Sequence, residues 1–198
     1  MRRGAPLLLL LALLSAGCGG GGASGTRALA ELINPALGPE YSFWMAGAVS
    51  RLATPEEINQ YITLRDDAQA QAFIEAFWQR RDPSPERPGN PFRETFERRA
   101  AESDRLYSEG GILGRRTDRG ILNVLYGPPE KVDHDVSPVP NGPPLEVWTY
   151  GAKSPSGLDG KRPAGVYRFI KNGELTVRYA GAAGTRLIQP SVDPEPPL

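Results

Sequence analysis

The chain is poor in the residues from which most metal and thiol sites are built. Its 198 residues include one cysteine, Cys18, and one histidine, His134. A lone cysteine excludes an intramolecular disulfide. One histidine with no free cysteine beside it falls short of the three or four convergent ligands that a metal site needs. Lysine is scarce too: among 23 basic residues only Lys131, Lys153, Lys161 and Lys171 are lysines, and the rest are arginines. The 23 acidic residues cancel them to a formal net charge of zero, so no global field attracts nucleic acid. Arginine is the cation suited to bidentate carboxylate pairing and aromatic stacking. Between Arg80 and Arg119 it is interleaved with acids, which predicts an ion-pair network. The chain shows no internal repeat, and its length bounds one compact domain with tails.

One stretch is strongly hydrophobic. "MRRGAPLLLLLALLSAGC" sets two arginines before a Leu/Ala run and small residues before Cys18, the layout of an export signal. The run is too short to cross a bilayer comfortably. "Leu14-Ser15-Ala16-Gly17-Cys18" resembles the bacterial lipobox, with its aliphatic residue one place further from the cysteine than usual. The expectation is a lipoprotein signal over residues 1–17, then a lipidated Cys18 and a flexible linker over 18–40 beginning Gly19-Gly20-Gly21-Gly22. Such a linker lets a folded body move near a membrane. Loss of Arg2 and Arg3 leaves 21 basic against 23 acidic residues, a net charge of −2. Gly19 in place of an aspartate favours, by analogy with lipoprotein sorting, the outer membrane.

The expected domain covers 41–182, with helices over 54–109 and a sheet over 120–180, before a Pro-rich tail over 183–198. Thr54-Pro55-Glu56-Glu57 reads as a capping box opening a helix to about Thr63. Asp66 starts a second helix carrying Phe73, Ile74, Phe77 and Trp78, which stops near Asp82 because Pro83 follows. After a stiff proline-rich crossing, Asn90 caps a third helix that keeps Phe92, Phe96, Ala100 and Tyr107 on one face and ends at Gly110-Gly111. "Ile121-Leu122-Asn123-Val124-Leu125-Tyr126", closed by Gly127-Pro128-Pro129, reads as a strand. "Leu145-Glu146-Val147-Trp148-Thr149-Tyr150" alternates. "Val166-Tyr167-Arg168-Phe169-Ile170" and "Leu175-Thr176-Val177-Arg178-Tyr179" flank Asn172-Gly173, a hairpin signal. Together these predict an α+β fold, N-terminal helices packed on an antiparallel sheet of three to four strands.

Five blocks carry a resemblance. They are "FIEAFWQRRDP" from Phe73, "NPFR" from Asn90, "GRRTDRG" from Gly114, "YGPP" from Tyr126 and "EVW" from Glu146. Their order and spacing over about 54–150 resemble the GWxTD-domain family of bacterial exported proteins. Gly114, Thr117 and Asp118 match the naming motif, and Arg115 stands where the motif has tryptophan. The resemblance implies a neighbourhood and no established activity. A shorter pattern, Gly127 and Pro129 after a strand and then Trp148 and Tyr150, is similar to the small lipoproteins of the outer-membrane β-barrel assembly machinery.

As chemistry, Thr117 and Asp118 offer a hydroxyl and an acid for proton transfer, with Arg115, Arg116 and Arg119 as anion ligands. As structure, Asp118 accepts backbone N–H groups, pairs with an arginine and fixes the chain's entry into the next element. The structural reading is the stronger, and Gly114, Arg115, Thr117, Asp118, Gly127 and Pro128 are taken as structural motif residues. Gly110 to Thr117 lacks the preceding strand and the Gly-Lys-Ser/Thr of a phosphate loop. In an extended Asp133-His134-Asp135 the two carboxylates share one face and His134 takes the other, which argues against a metal. No catalytic residue, cofactor or metal is expected. Trp148 and Tyr150 are the expected interaction residues on an exposed strand face. The sequence thus points to a membrane-tethered envelope lipoprotein that works by protein contact without catalysis, held to the bacterial membrane through lipidated Cys18. The alternative is a periplasmic hydrolase using Asp118 with Glu94 or Asp133, or an anion-binding module using Asp118 and the Arg115, Arg116 and Arg119 cluster.

Overall fold

A computed structural model describes residues 29–180; Cys18, the expected signal and the tail from residue 183 lie outside them. The helices come first: α1 Pro39–Ser42, α2 Pro55–Ile62, α3 Asp67–Gln79, α4 Pro91–Tyr107 and α5 Asp118–Tyr126. Short 3-10 turns at Leu29–Leu32, Gly47–Arg51 and Gly114–Arg116 punctuate them. Strands β1 Lys131–Asp135, β2 Leu145–Thr149, β3 Val166–Asn172 and β4 Leu175–Arg178 then form an antiparallel sheet in sequential order. The architecture is α+β, as the order of helical and extended segments implies.

Local chemistry sets the helix boundaries. Thr54 Oγ1 accepts the Glu57 N–H at 3.2 Å while the Glu57 carboxylate takes the Thr54 N–H at 2.9 Å, a closed capping box. The same carboxylate binds Arg80 at 2.8 Å and Arg81 at 2.6 Å, tying the start of α2 to the end of α3. The Arg81 guanidinium lies 3.6 Å over the Phe77 ring. Arg80 and Arg81 therefore do more than complement a helix dipole. Asn90 Oδ1 caps α4 through the Arg93 N–H at 3.0 Å, and its amide donates to the Trp78 carbonyl at 2.8 Å. One asparagine thus fixes both ends of the proline-rich crossing.

Two apolar clusters result. The helical one gathers Tyr61, Phe73, Phe77, Trp78 and Phe96 about Met45 and Val49, with Phe92 half-buried at its margin. Leu32 and Leu37 are buried in it, and the buried Asn34 amide donates to the Tyr61 and Leu64 carbonyls at 2.9 Å each. Residues 29–40, expected to belong to the linker, are therefore part of the folded body. Leu29, Leu32, Ile33 and Leu37 do stand at near-helical spacing, but Pro35 and Gly38 interrupt the run.

The larger correction concerns Ile121 to Tyr126, which form most of helix α5 and not a strand, so the sheet begins at Lys131. Helix α5 lies between the two clusters: Ile121, Val124 and Leu125 pack into the helical one, while Leu122 meets Trp148, Tyr150, Tyr167 and Phe169 of the sheet. A helix buried on both sides is apolar nearly all round, and a short apolar run cannot be told from a strand by period. The likeness to β-barrel assembly lipoproteins loses its premise here, since the element that leads into Gly127 is helix α5 and not a strand.

The capping box predicts an acid-sensitive joint. Burial would raise the Glu57 carboxyl, but hydrogen bonds from Arg81, the Thr54 N–H and Arg80 outweigh it and hold the group at about 2 against an ordinary 4.5. A depressed value means that the contribution is full above pH 4.5 and is lost as pH falls towards 2. Thermal unfolding followed across that window should show stability declining in the native chain, with a shallower decline in Glu57→Gln.

Candidate functional site

The segment from Gly114 to Gly127 joins the helical layer to the sheet. Gly114 lies flat against the backbone of α4, where an added Cβ would overlap the Ser103 carbonyl. Gly120 is pressed against Gly114 in the same way, its Cβ position overlapping the Gly114 carbonyl. Three backbones thus meet without side chains between them, as only glycine permits. Thr117 completes the turn: its hydroxyl donates to the Gly114 carbonyl at 2.9 Å and accepts the Gly120 N–H at 3.2 Å, capping α5. Gly127, at φ 80°, ends that helix. Arg99 reaches from α4 to the Val124 and Leu125 carbonyls at 3.2 and 3.0 Å, satisfying the helix's last acceptors. Pro128 follows, unable to extend the helical hydrogen bonding.

Asp118 works across the layers. Its Oδ2 accepts the backbone N–H of Arg178 in β4 at 2.6 Å, a link spanning 60 residues. Glu109 does the same two residues earlier, taking the Thr176 N–H and hydroxyl at 2.8 Å each. Because Val177 pairs with Ile170 and Tyr179 donates to Arg168, the Thr176 and Arg178 N–H groups point away from β3. Two carboxylates therefore satisfy the outer edge of β4. Burial raises the Asp118 carboxyl above its ordinary value, against the opposing pull of the Arg178 hydrogen bond and the Arg178 and Arg51 charges.

The three motif arginines do not converge on Asp118. Arg115 turns back to α4, where Asp104 receives its backbone N–H at 2.8 Å and its Nε at 2.7 Å. Arg116 lies 4.8 Å over the Phe43 ring. Arg119 bridges Glu109 at 2.9 Å and Glu146 at 3.0 Å, joining the end of α4 to β2. The anion cluster of the alternative reading is thereby corrected: each arginine is committed to a different neighbour.

Trp148 and Tyr150 are a second correction. They are only 1% and 4% exposed, on the sheet face turned toward α5. Trp148 Nε1 donates to Glu146 at 2.6 Å, and Tyr150 Oη to the Gly127 carbonyl at 2.9 Å. They hold the sheet against the helices, so neither is available to a partner. Asp133, His134 and Asp135 lie on the exposed edge strand β1. Among the described residues no group of His, Cys, Asp or Glu is arranged to hold a metal ion.

A cleft of about 270 Å³ opens above Asp118. Ile121, Leu122, Leu125 and Tyr126 of α5 form one wall, and Tyr167 and Arg178 another. Arg51, Asp159 and Lys161 complete the lining. The sequence reading missed every residue of this cleft except Asp118. Arg51, Lys161 and Arg178 lie in three separate segments that no local pattern connects.

A family model for the GWxTD domain matches residues 41–158, more than half of the chain. The chain belongs to the GWxTD-domain family. No curated protein and no solved structure matches it. The match takes in α2 to α5, β1 and β2 and ends before β3, so it includes Thr117 and Asp118 but not Arg178, the residue that Asp118 holds. Within this GWxTD domain the motif reads physically as a joint of close glycines, a capping threonine and an edge-binding aspartate.

That joint yields unequal mutational effects. Gly120→Ala forces a Cβ into backbone and should cost at least ~3 kcal/mol. Thr117→Ala removes the cap and should cost about 1–2 kcal/mol. Urea unfolding of the two variants measures both; equal, small losses would contradict the close-contact account.

Proposed function

We propose that the protein is an exported lipoprotein, tethered through Cys18 and its glycine-rich linker, that works in the bacterial envelope by binding a partner without transforming it. The observation that carries this reading is the use to which the motif's two reactive-looking side chains are put. Thr117 Oγ1 is spent on the Gly114 carbonyl and the Gly120 N–H, and Asp118 on the Arg178 N–H. A proton-transfer pair needs reach to a substrate atom, whereas these groups are engaged with backbone.

The hydrolase alternative has a cleft at Asp118 but lacks there the second acid it calls for. Glu94 lies in the first turn of α4 and Asp133 on β1, and neither lines the cleft at Asp118. No helix among the described residues is long and apolar enough to cross a membrane. A tether then rests on the acyl chains expected at Cys18, several of which hold far more firmly than one.

Two measurements separate the parts of this proposal. Labelled palmitate should enter the native chain and not Cys18→Ala, which should move from the membrane pellet to the soluble fraction. Crosslinking through the folded body in intact membranes should recover one specific envelope protein. A membrane-bound Cys18→Ala would remove the tether, and an empty crosslink would remove the contact role.

A further inference from the structure

Arg116 differs from the other two motif arginines. Arg115 is held by Asp104, and Arg119 by Glu109 and Glu146. The Arg116 guanidinium makes neither a hydrogen bond nor an ion pair among the described residues. Its Nε is shielded from solvent with no acceptor in reach, and the Phe43 ring lies 4.8 Å beneath it. Burial and the neighbouring Arg115 charge lower the guanidinium below its ordinary value, against an opposing pull from Asp104. A guanidinium has five donors and no acceptor, and a desolvated cation is unfavourable until a counter-charge meets it. The fold withdraws this cation from water and brings no acid to it.

The surroundings are rigid and apolar. Gly47, at φ 80°, is pressed onto the motif so closely that an added Cβ would stand 2.6 Å from the Arg115 carbonyl oxygen and 2.9 Å from the Arg116 Cα. The Arg116 N–H donates to the Leu113 carbonyl at 2.8 Å, which puts Leu113 one 3-10 turn before it. Phe43 at 37% and Leu113 at 45% belong to the few large apolar residues that the described chain leaves exposed. One exposed apolar side chain thus lies under the guanidinium and another one turn from its backbone. Arginine and aromatic residues are enriched at the centres of protein interfaces, where surrounding apolar contacts exclude water from the charged pair. A small free anion would neutralise Arg116 and leave Phe43 and Leu113 in water, whereas a protein surface covers all three.

We propose that Phe43, Leu113 and Arg116 form the contact surface for the protein partner, and that Arg116 receives there an aspartate or glutamate side chain of that partner. This rests on the reading of the protein as a binding module and gives the contact a place on the fold. Arg116 stands between Gly114 and Thr117, so the joint that spaces α4 and α5 also holds the cation in position before the partner arrives. An anchor fixed in advance loses little freedom on binding.

The test places a photoreactive phenylalanine analogue at Phe43 or at Leu113 of the full chain in intact membranes, with the exposed Arg87 as the comparison position. Crosslinks to one envelope protein are expected from Phe43 and Leu113 and not from Arg87. Arg116→Gln should lower the yield at Leu113 by roughly tenfold. Arg116→Glu should abolish it, and replacing the partner's contacting acid with arginine should restore it. Thermal unfolding of the purified chain supplies a readout that needs no partner. Arg116→Met keeps an apolar stem over Phe43 and removes the unpaired charge, so its midpoint should equal or exceed that of the native chain. A lower midpoint would show the arginine serving the fold and overturn the assignment. Undiminished crosslinking in Arg116→Gln, failure of the charge exchange, or crosslinks from Arg87 but from neither Phe43 nor Leu113 would overturn it too. That last pattern would leave the binding reading standing, whereas silence at every position would remove both.

Discussion

The structure depends on one contact made without side chains, where Gly114 rests on the Ser103 carbonyl of α4 and Gly120 rests on Gly114. That approach sets how near α5 lies to α4. It leaves Ser103 buried between them, its hydroxyl shared by the Arg99 and Gly120 carbonyls and the Asn123 amide. Once α5 is at that distance, Ile121, Val124 and Leu125 reach the helical cluster and Leu122 reaches the sheet. A wider spacing would open voids on both sides of the helix at once, and interiors tolerate few.

Electrostatics secures what this contact positions. Arg119 bridges two carboxylates, Glu109 and Glu146. Glu109 in turn grips β4, and Glu146 holds the Trp148 indole. The arginine-rich composition thus reappears as a set of bridges between elements, each a hydrogen-bonded pair with one partner on another segment. Net charge plays no part in it. Exposed pairs such as Arg93 with Glu97 add little to this, whereas the Arg119 bridges are shielded from water at the seam.

Much of the fold is legible in the sequence, and the reasons are local. Thr54 with Glu57, Asp66 and Asn90 announce three helices because capping needs particular side chains at particular offsets. Asn172-Gly173 announces the β3–β4 hairpin because its turn demands positive φ, observed at Gly173 as 59°. The reading of Ile121 to Tyr126 fails where burial on two faces erases the period, although Thr117-Asp118 before it and Gly127-Pro128 after it are start and stop signals of a helix. The identity of Gly114, Thr117 and Asp118 as structural residues is legible; their partners are not. Arg178, Ser103 and Glu109 are brought to them by tertiary contact alone. The inward turn of Trp148 and Tyr150 was a choice between two strand faces, which alternation offers without ranking.

The engagement of β4 by Glu109 and Asp118 has a consequence for assembly. A sheet grows by recruiting a strand at an unsatisfied edge, and here the two outward amides of the last strand are already filled by carboxylates from the same chain. Lengthening at that end requires an incoming segment to expel both acids and uncover the seam beneath them. The opposite border, at β1, carries Lys131, Asp133 and Asp135 on its exposed run, charges that discourage pairing with a flat apolar stranger. One border is closed by carboxylates of the same fold and the other is guarded by charge, so among the described residues the four-stranded sheet offers an incoming strand no free, uncharged edge, a built-in protection against polymerisation.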